Sequence, residues 1–328
     1  MWTPPSLAGR VAIVAGATRG CGRAIAVALG ECGATVVCTG RSMRGGEKAM
    51  GSSRPETVDD TADMVTKAGG RGVAFRCDHT STEDVQKLAE MLQKEYGHLD
   101  VLVNDVWGAD SLVGWGKDMW DHSLQDGLKI LDAAMKAHII TSHALGPLLC
   151  KKKGSVAIEV TDGDHMGYRG NFYYDLAKTS NIRMAFALHK ELSKHGSRAF
   201  CVTPGFLRSE AMLDLFEVTD ENYKEKAADP DFAASSESPY LLARGVAHLI
   251  AAPPSDEFAV YASWTLAQHY GYTDKDGQTP HWGDYFKSKY GASSATVDAD
   301  MIARWNLGPT EVCASAANNQ KSDASEEG

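Results

Sequence analysis

The chain has 328 residues, 43% of them hydrophobic and 23% charged, a composition that supports the core of a soluble globular enzyme. Its 33 basic and 43 acidic side chains leave a formal charge of −10. With no basic run longer than Lys151 to Lys153, long-range attraction to nucleic acid or to an anionic membrane is excluded.

The first ten residues lack a signal-peptide core, and no apolar stretch approaches the roughly 18 residues of a membrane span; a cytoplasmic protein is expected. The seven cysteines are scattered, with no C-x-x-C pair and no zinc-like Cys/His spacing, which predicts free thiols and no metal centre.

In chain order, short apolar runs at 11–15, 35–39, 72–76, 101–104, 155–160 and 198–202 alternate with helical patterns near 20–32, 56–69, 82–96, 118–149 and 172–195. The runs are apolar on both faces, as in a parallel sheet covered by helices on both sides. The alternation predicts an α/β, Rossmann-type doubly wound sheet, with a further strand near 258–262. A single domain is expected over 8–310. It carries a Gly/Ser-rich insertion at 43–55, a tryptophan-rich one at 105–120, and a substrate-side extension at 206–310. The polar residues 311–328 are expected to be a disordered tail.

The first strand runs into Gly16-Ala17-Thr18-Arg19-Gly20-Cys21-Gly22, a glycine turn followed by a helix. Gly16 permits a sharp exit, and Gly20 and Gly22 allow a pyrophosphate to approach the helix N-terminus, where its charge is favoured. After the second strand, NAD-binding domains usually place an acidic residue for the ribose hydroxyl. Here Arg41 follows Gly40, with Arg19 in the turn. Both would attract a 2′-phosphate, so NADP(H) is the expected cofactor.

With these residues in view, the sequence over about 8–210 resembles the classical short-chain dehydrogenase/reductase family. The likeness extends to Asp78 with His79, where the family contacts adenine, and to Asn104 in a diverged N-N-A-G motif. It also takes in Tyr174-Asp175-Leu176-Ala177-Lys178 and Pro204-Gly205. Four apart on a helix, Tyr174 and Lys178 share one face, and a nearby ammonium lowers a phenol's pKa. Tyr168 and Tyr173 lack a lysine at i+4. The resemblance implies that Tyr174 exchanges a proton with substrate oxygen and that Lys178 holds the nicotinamide ribose.

Thr161 stands where the family usually carries a serine, and its hydroxyl is expected to polarise a carbonyl oxygen. Ala134 stands where many members carry an asparagine, with His138 one turn on. Asp162, Asp164 and His165 follow Thr161 and either contact substrate or cap a loop.

The expected activity is NADPH-dependent reduction of a mid-sized organic carbonyl compound, or oxidation of the alcohol. The alternatives are a lyase or isomerase on the same site, or a non-catalytic NADP-binding sensor. The family resemblance implies dimers or tetramers through helices 118–149 and 172–195, unless the insertions block that packing.

Overall fold

The structure is a computed structural model and describes residues 2–46, 54–253, 257–291 and 296–306. Residues 47–53 of the first insertion and the whole of the expected tail, 311–328, lie outside that set.

Seven parallel strands form the sheet: β1 (Val11–Ala15), β2 (Thr35–Gly40), β3 (Arg71–Arg76), β4 (Val101–Asn104), β5 (Val156–Val160), β6 (Arg198–Thr203) and β7 (Val260–Ala262). Their order is β3-β2-β1-β4-β5-β6-β7. β1 pairs with β2 from Val11 opposite Thr35, and with β4 from Ala12 opposite Val101. The winding therefore reverses between β1 and β4, and ligands of open α/β sheets bind outside the carboxyl ends at such a switch.

Helices cover both faces because the strands are apolar on both. On one side α1 (Gly20–Glu31) and α2 (Val58–Lys67) lie with a later helix over Pro239–Ala251; there Ile25, Leu29, Val65, Val246 and Ile250 meet alternate residues of the sheet. The other side holds α3 (Thr82–Glu95), α4 (Leu124–Leu131), α5 (Ala137–Leu149) and α6 (Phe172–Leu192), where Leu88, Leu92, Leu145 and Leu192 pack on Ile13, Leu102 and Ala157.

The single helix predicted over 118–149 is instead three pieces. Residues 118–123 form turns, α4 and α5 follow, and a π-helical stretch at Asp132–Lys136 joins them. Ala134 of that stretch is buried with Tyr173 and Ala177.

Beyond β6, the extension folds into short helices α7 (Glu210–Leu215), α8 (Tyr223–Lys226) and α9 (Pro230–Ser235), then α10 (Pro239–Ala251), α11 (Ser263–Tyr270) and α12 (Trp282–Tyr290). Met1–Thr296 form one compact unit, and Val297–Gly328 separate as a second. In the second, the described residues hold α13 (Ala299–Trp305), capped by Asp298 accepting the Met301 amide.

Candidate active site

Residues singled out in the sequence follow the carboxyl ends of four strands: Gly16 after β1, Arg41 after β2, Thr161 after β5 and Pro204 after β6. Asp105, which the sequence reading did not single out, follows β4.

Gly16 leaves β1 at φ +91°, and a Cβ there would sit 2.3 Å from the Asp105 carbonyl oxygen. A Cβ at Gly22 would sit 2.3 Å from the Gly16 carbonyl oxygen. The turn is thus closed against the exit of β4, and only glycine fits. At the N-terminus of α1 the Gly20 amide donates to Glu210 Oε2 at 2.9 Å, and Arg23 approaches the other carboxylate oxygen at 3.9 Å. These donors already hold an anion, so they suit a phosphate. Thr18 packs into the space left by the missing Cβ of Gly40, and its carbonyl accepts from Arg23 at 2.6 Å.

The Asp105 carboxylate accepts the Gly22 amide. Desolvation pushes its pKa up to about 7, against the opposing pull of Lys178 and His138.

At the outer edge of this cleft, Arg19 caps α1 through extended backbone, with no side-chain cap bond. Arg41 lies at the root of the tryptophan-rich loop, where a Cβ on Gly108 would be 3.0 Å from its Nη2. No ion pair engages either arginine among the described residues. Burial raises the Asp78 carboxyl, but the Thr80 amide and hydroxyl, at 3.0 and 2.7 Å, together with Arg41, carry it below the usual value.

His79 and Asn104 face inward. The His79 ring bridges Thr39 and Thr141, each at 2.8 Å. Burial and then the His138 charge push its pKa to about 4, so it is neutral. The Asn104 amide donates to Glu159 at 2.7 Å and Ser142 at 2.9 Å. Neither side chain faces the cleft as a cofactor ligand would; both brace its floor.

At the start of α6, Asn171 caps the helix by accepting the Tyr174 amide, and its own amide donates to the Gly114 carbonyl at 3.0 Å. That ties the tryptophan loop to the helix. Tyr174 stands between Trp115, 5.0 Å away between ring centroids, and Trp107, edge-on at 5.5 Å. Lys178 Nζ lies 4.2 Å from the Trp107 centroid and 5.5 Å from that of Tyr174. The Tyr174 hydroxyl donates to Asp162 Oδ2 at 2.7 Å.

Pro204 and Gly205 are held from below. The buried Glu237 accepts the Gly205 amide and the Ser263 hydroxyl, and burial raises its pKa to about 8.

Comparison with known proteins now bears on this arrangement. Residues 10–219 match the family model described as short chain dehydrogenase. The chain belongs to the short-chain dehydrogenase family. Dehydrogenase/reductase SDR family member 1 from Mus musculus is 30% identical over 295 residues, spanning 88% of this chain and 90% of that protein.

The crystal structure of L-sorbose reductase from Gluconobacter frateurii with NADPH and L-sorbose matches with a TM-score of 0.64 at 18% identity, over 79% of this chain and 97% of that one. A 7 alpha-hydroxysteroid dehydrogenase complexed with NADH and 7-oxo glycochenodeoxycholic acid matches at 0.62 and 21%, over 79% and 96%. At those identities the likeness shows the fold. As a short-chain dehydrogenase the protein is an oxidoreductase that uses NAD(H) or NADP(H) with a small-molecule substrate.

Within the family frame, three features depart from the sequence-based expectation. First, the Thr161 hydroxyl is buried and donates to the Lys178 carbonyl at 2.6 Å, so it pins β5 to α6 instead of facing a substrate oxygen. Second, the phenol's pKa is raised, where an ammonium neighbour had been expected to lower it. Burial is the main cause, followed by the charge of Asp162 and the hydrogen bond to it.

Third, the site depends on Arg169, which carries no local sequence signal, and on His138, whose role the sequence left open. Arg169 donates to the carbonyls of Asp162 (2.6 Å) and His165 (2.5 Å) and to Asp175 (3.1 Å) and Thr179 (3.0 Å), fixing the 162–167 loop on α6. His138, one turn on from Ala134, is hydrogen-bonded to Glu159 at 2.5 Å and donates to the Val106 carbonyl at 3.1 Å, so it steadies the strand exit that leads to Trp107.

Proposed function

We propose that the protein is an NADPH-dependent carbonyl reductase, or the alcohol dehydrogenase of the reverse reaction, with Tyr174 as proton donor and acceptor. The carrying observation is the Tyr174 hydroxyl, whose proton is presented at 2.7 Å to an acceptor oxygen, with Lys178 one turn further along the same helix.

The residues fit a dinucleotide. The Gly20 amide and Thr18 would take the pyrophosphate at the α1 N-terminus, while Gly22, with its amide on Asp105, lets the chain approach closely. Asp78 and the backbone beside His79 would border adenine, while Lys178 and the Pro204-Gly205 turn would border the nicotinamide end. When bound, the cofactor supplies or accepts the hydride at the substrate carbon. Tyr174 then gives its proton to the carbonyl oxygen, and a phenol held protonated by burial and Asp162 is suited to that direction. Thr161 supports the pair from behind by fixing the Lys178 carbonyl.

Preference for NADP(H) rests on Arg41 and Arg19, two guanidinium groups available for a 2′-phosphate. Replacing Arg41 by Ala should weaken NADPH binding about tenfold to a hundredfold, the loss of a hydrogen bond to a charged group, and leave NADH binding nearly unchanged. Titration of reduced-cofactor fluorescence measures both. Equal losses would remove Arg41 from the 2′-phosphate site.

A further inference from the structure

We propose that the substrate is a carbonyl compound with a hydrogen-bond donor on the adjacent carbon, an α-hydroxy or α-ammonio ketone or aldehyde, and that Asp162 selects it. The inference rests on the reading of Tyr174 as proton donor and deepens it.

Asp162 is a built feature of the site. Its main-chain carbonyl is held by Arg169 Nε at 2.6 Å, and Thr161 just before it is fastened to α6 at 2.6 Å. Arg169 also binds the Gly163, His165 and Gly167 carbonyls and the Asp175 carboxylate. Among the described residues no ion pair engages the Asp162 carboxylate; its recorded side-chain donor is the Tyr174 hydroxyl.

The phenol carries one proton. Once a substrate carbonyl oxygen takes that hydrogen bond, Asp162 Oδ2 loses its donor while remaining one hydrogen-bond length from the phenol oxygen. A plain ketone then brings an acceptor oxygen, on which negative charge develops during reduction, up to an unpaired carboxylate. Both are acceptors, and the encounter is unfavourable.

A hydroxyl or ammonium group on the neighbouring carbon removes the conflict. The two heteroatoms of such a substrate lie about as far apart as the phenol and carboxylate oxygens. The carbonyl can therefore accept from Tyr174 while its neighbour donates to Asp162. Trp107 and Trp115, at 5.5 and 5.0 Å from Tyr174, offer aromatic faces for the rest of the molecule, and Trp115 is 59% exposed and open to it.

The test compares acetophenone, α-hydroxyacetophenone (2-hydroxy-1-phenylethanone) and α-aminoacetophenone (2-amino-1-phenylethanone) as substrates of the native full-length protein, with NADPH and with NADH, following absorbance of the reduced cofactor. The hydroxy or amino ketone should exceed acetophenone in kcat/KM by about tenfold to a hundredfold, the cost of an unmet acceptor. The faster of the two identifies the donor as hydroxyl or ammonium. Asp162→Ala should bring all three within about threefold of one another. Asp162→Asn, which keeps shape but not charge, should lose at least tenfold of any preference for the ammonium compound over acetophenone, and it carries the comparison if the alanine variant does not fold.

Equal kcat/KM for the three ketones in the native protein overturns the substrate inference alone. A preference undiminished in a folded Asp162 variant overturns it too. Absence of turnover of every ketone with either cofactor overturns it together with the proton-donor reading.

Discussion

Tyr174 offers a single proton, and the surrounding residues determine who receives it. Asp162 accepts its hydrogen bond in the structure, Arg169 holds Asp162 in place, and Lys178 rests over Trp107 instead of on the phenol oxygen. The Tyr174-Lys178 spacing was legible in the sequence because a helix makes i and i+4 neighbours. Asp162 as the phenol's partner was not, because loop 162–167 takes its shape from a guanidinium buried against several carbonyls, and no periodicity encodes that.

Glu237 is a second residue with consequences of its own. Buried beneath Gly205, it has a folded pKa of about 8 against an unfolded value of about 4.3. A raised carboxyl pKa means that its contribution is fully favourable below the unfolded value and is lost as pH climbs through the folded one. Glu237→Gln removes that loss. The variant's stability advantage over the native protein should grow between pH 5 and pH 8, by on the order of 1 kcal/mol per pH unit. Thermal melts across that range measure it, and a pH-independent difference would mean that Glu237 ionises in the fold as readily as in the unfolded chain.

Among the elements, α7 has the clearest functional position. It is six residues long, and it reaches the cofactor side through two carboxylates: Glu210 on the Gly20 amide and Asp214 on Arg54. A cofactor phosphate and Glu210 would compete for the same amide. Glu210→Ala should therefore tighten NADPH binding by about threefold to tenfold, since fewer molecules are held in the non-competent arrangement. Fluorescence titration reads this directly, and unchanged or weaker binding would show that Glu210 does not compete.

The contact spans 190 positions, which explains why the sequence did not disclose it. The strands, by contrast, were legible nearly to the residue, because burial on both faces demands unbroken apolar runs. The helical segment 118–149 was only partly so. Its amphipathic pattern continues through residues 118–123, where the chain turns. There His122 receives the Gly114 amide and approaches the Leu112 carbonyl, each at 3.1 Å, and tertiary contacts override the local pattern.

For the molecule as a whole, strand order sets where chemistry can occur. The reversal between β1 and β4 opens one crevice, and the glycine turn, Arg41, Asp105, Asp162 and Pro204 all follow strand ends that face it. Fold and family were readable from the order of the motifs. The pairing of Tyr174 with Asp162 was not, because the 162–167 loop and the tryptophan loop meet α6 only after folding. The proposed reaction rests on proton transfer at one phenol. With NADPH and α-hydroxyacetophenone, Tyr174→Phe should lower kcat/KM by about 10² to 10⁴ relative to the native protein, with NADPH affinity kept within about twofold. A phenylalanine variant that oxidises NADPH with this ketone at the native rate would contradict it.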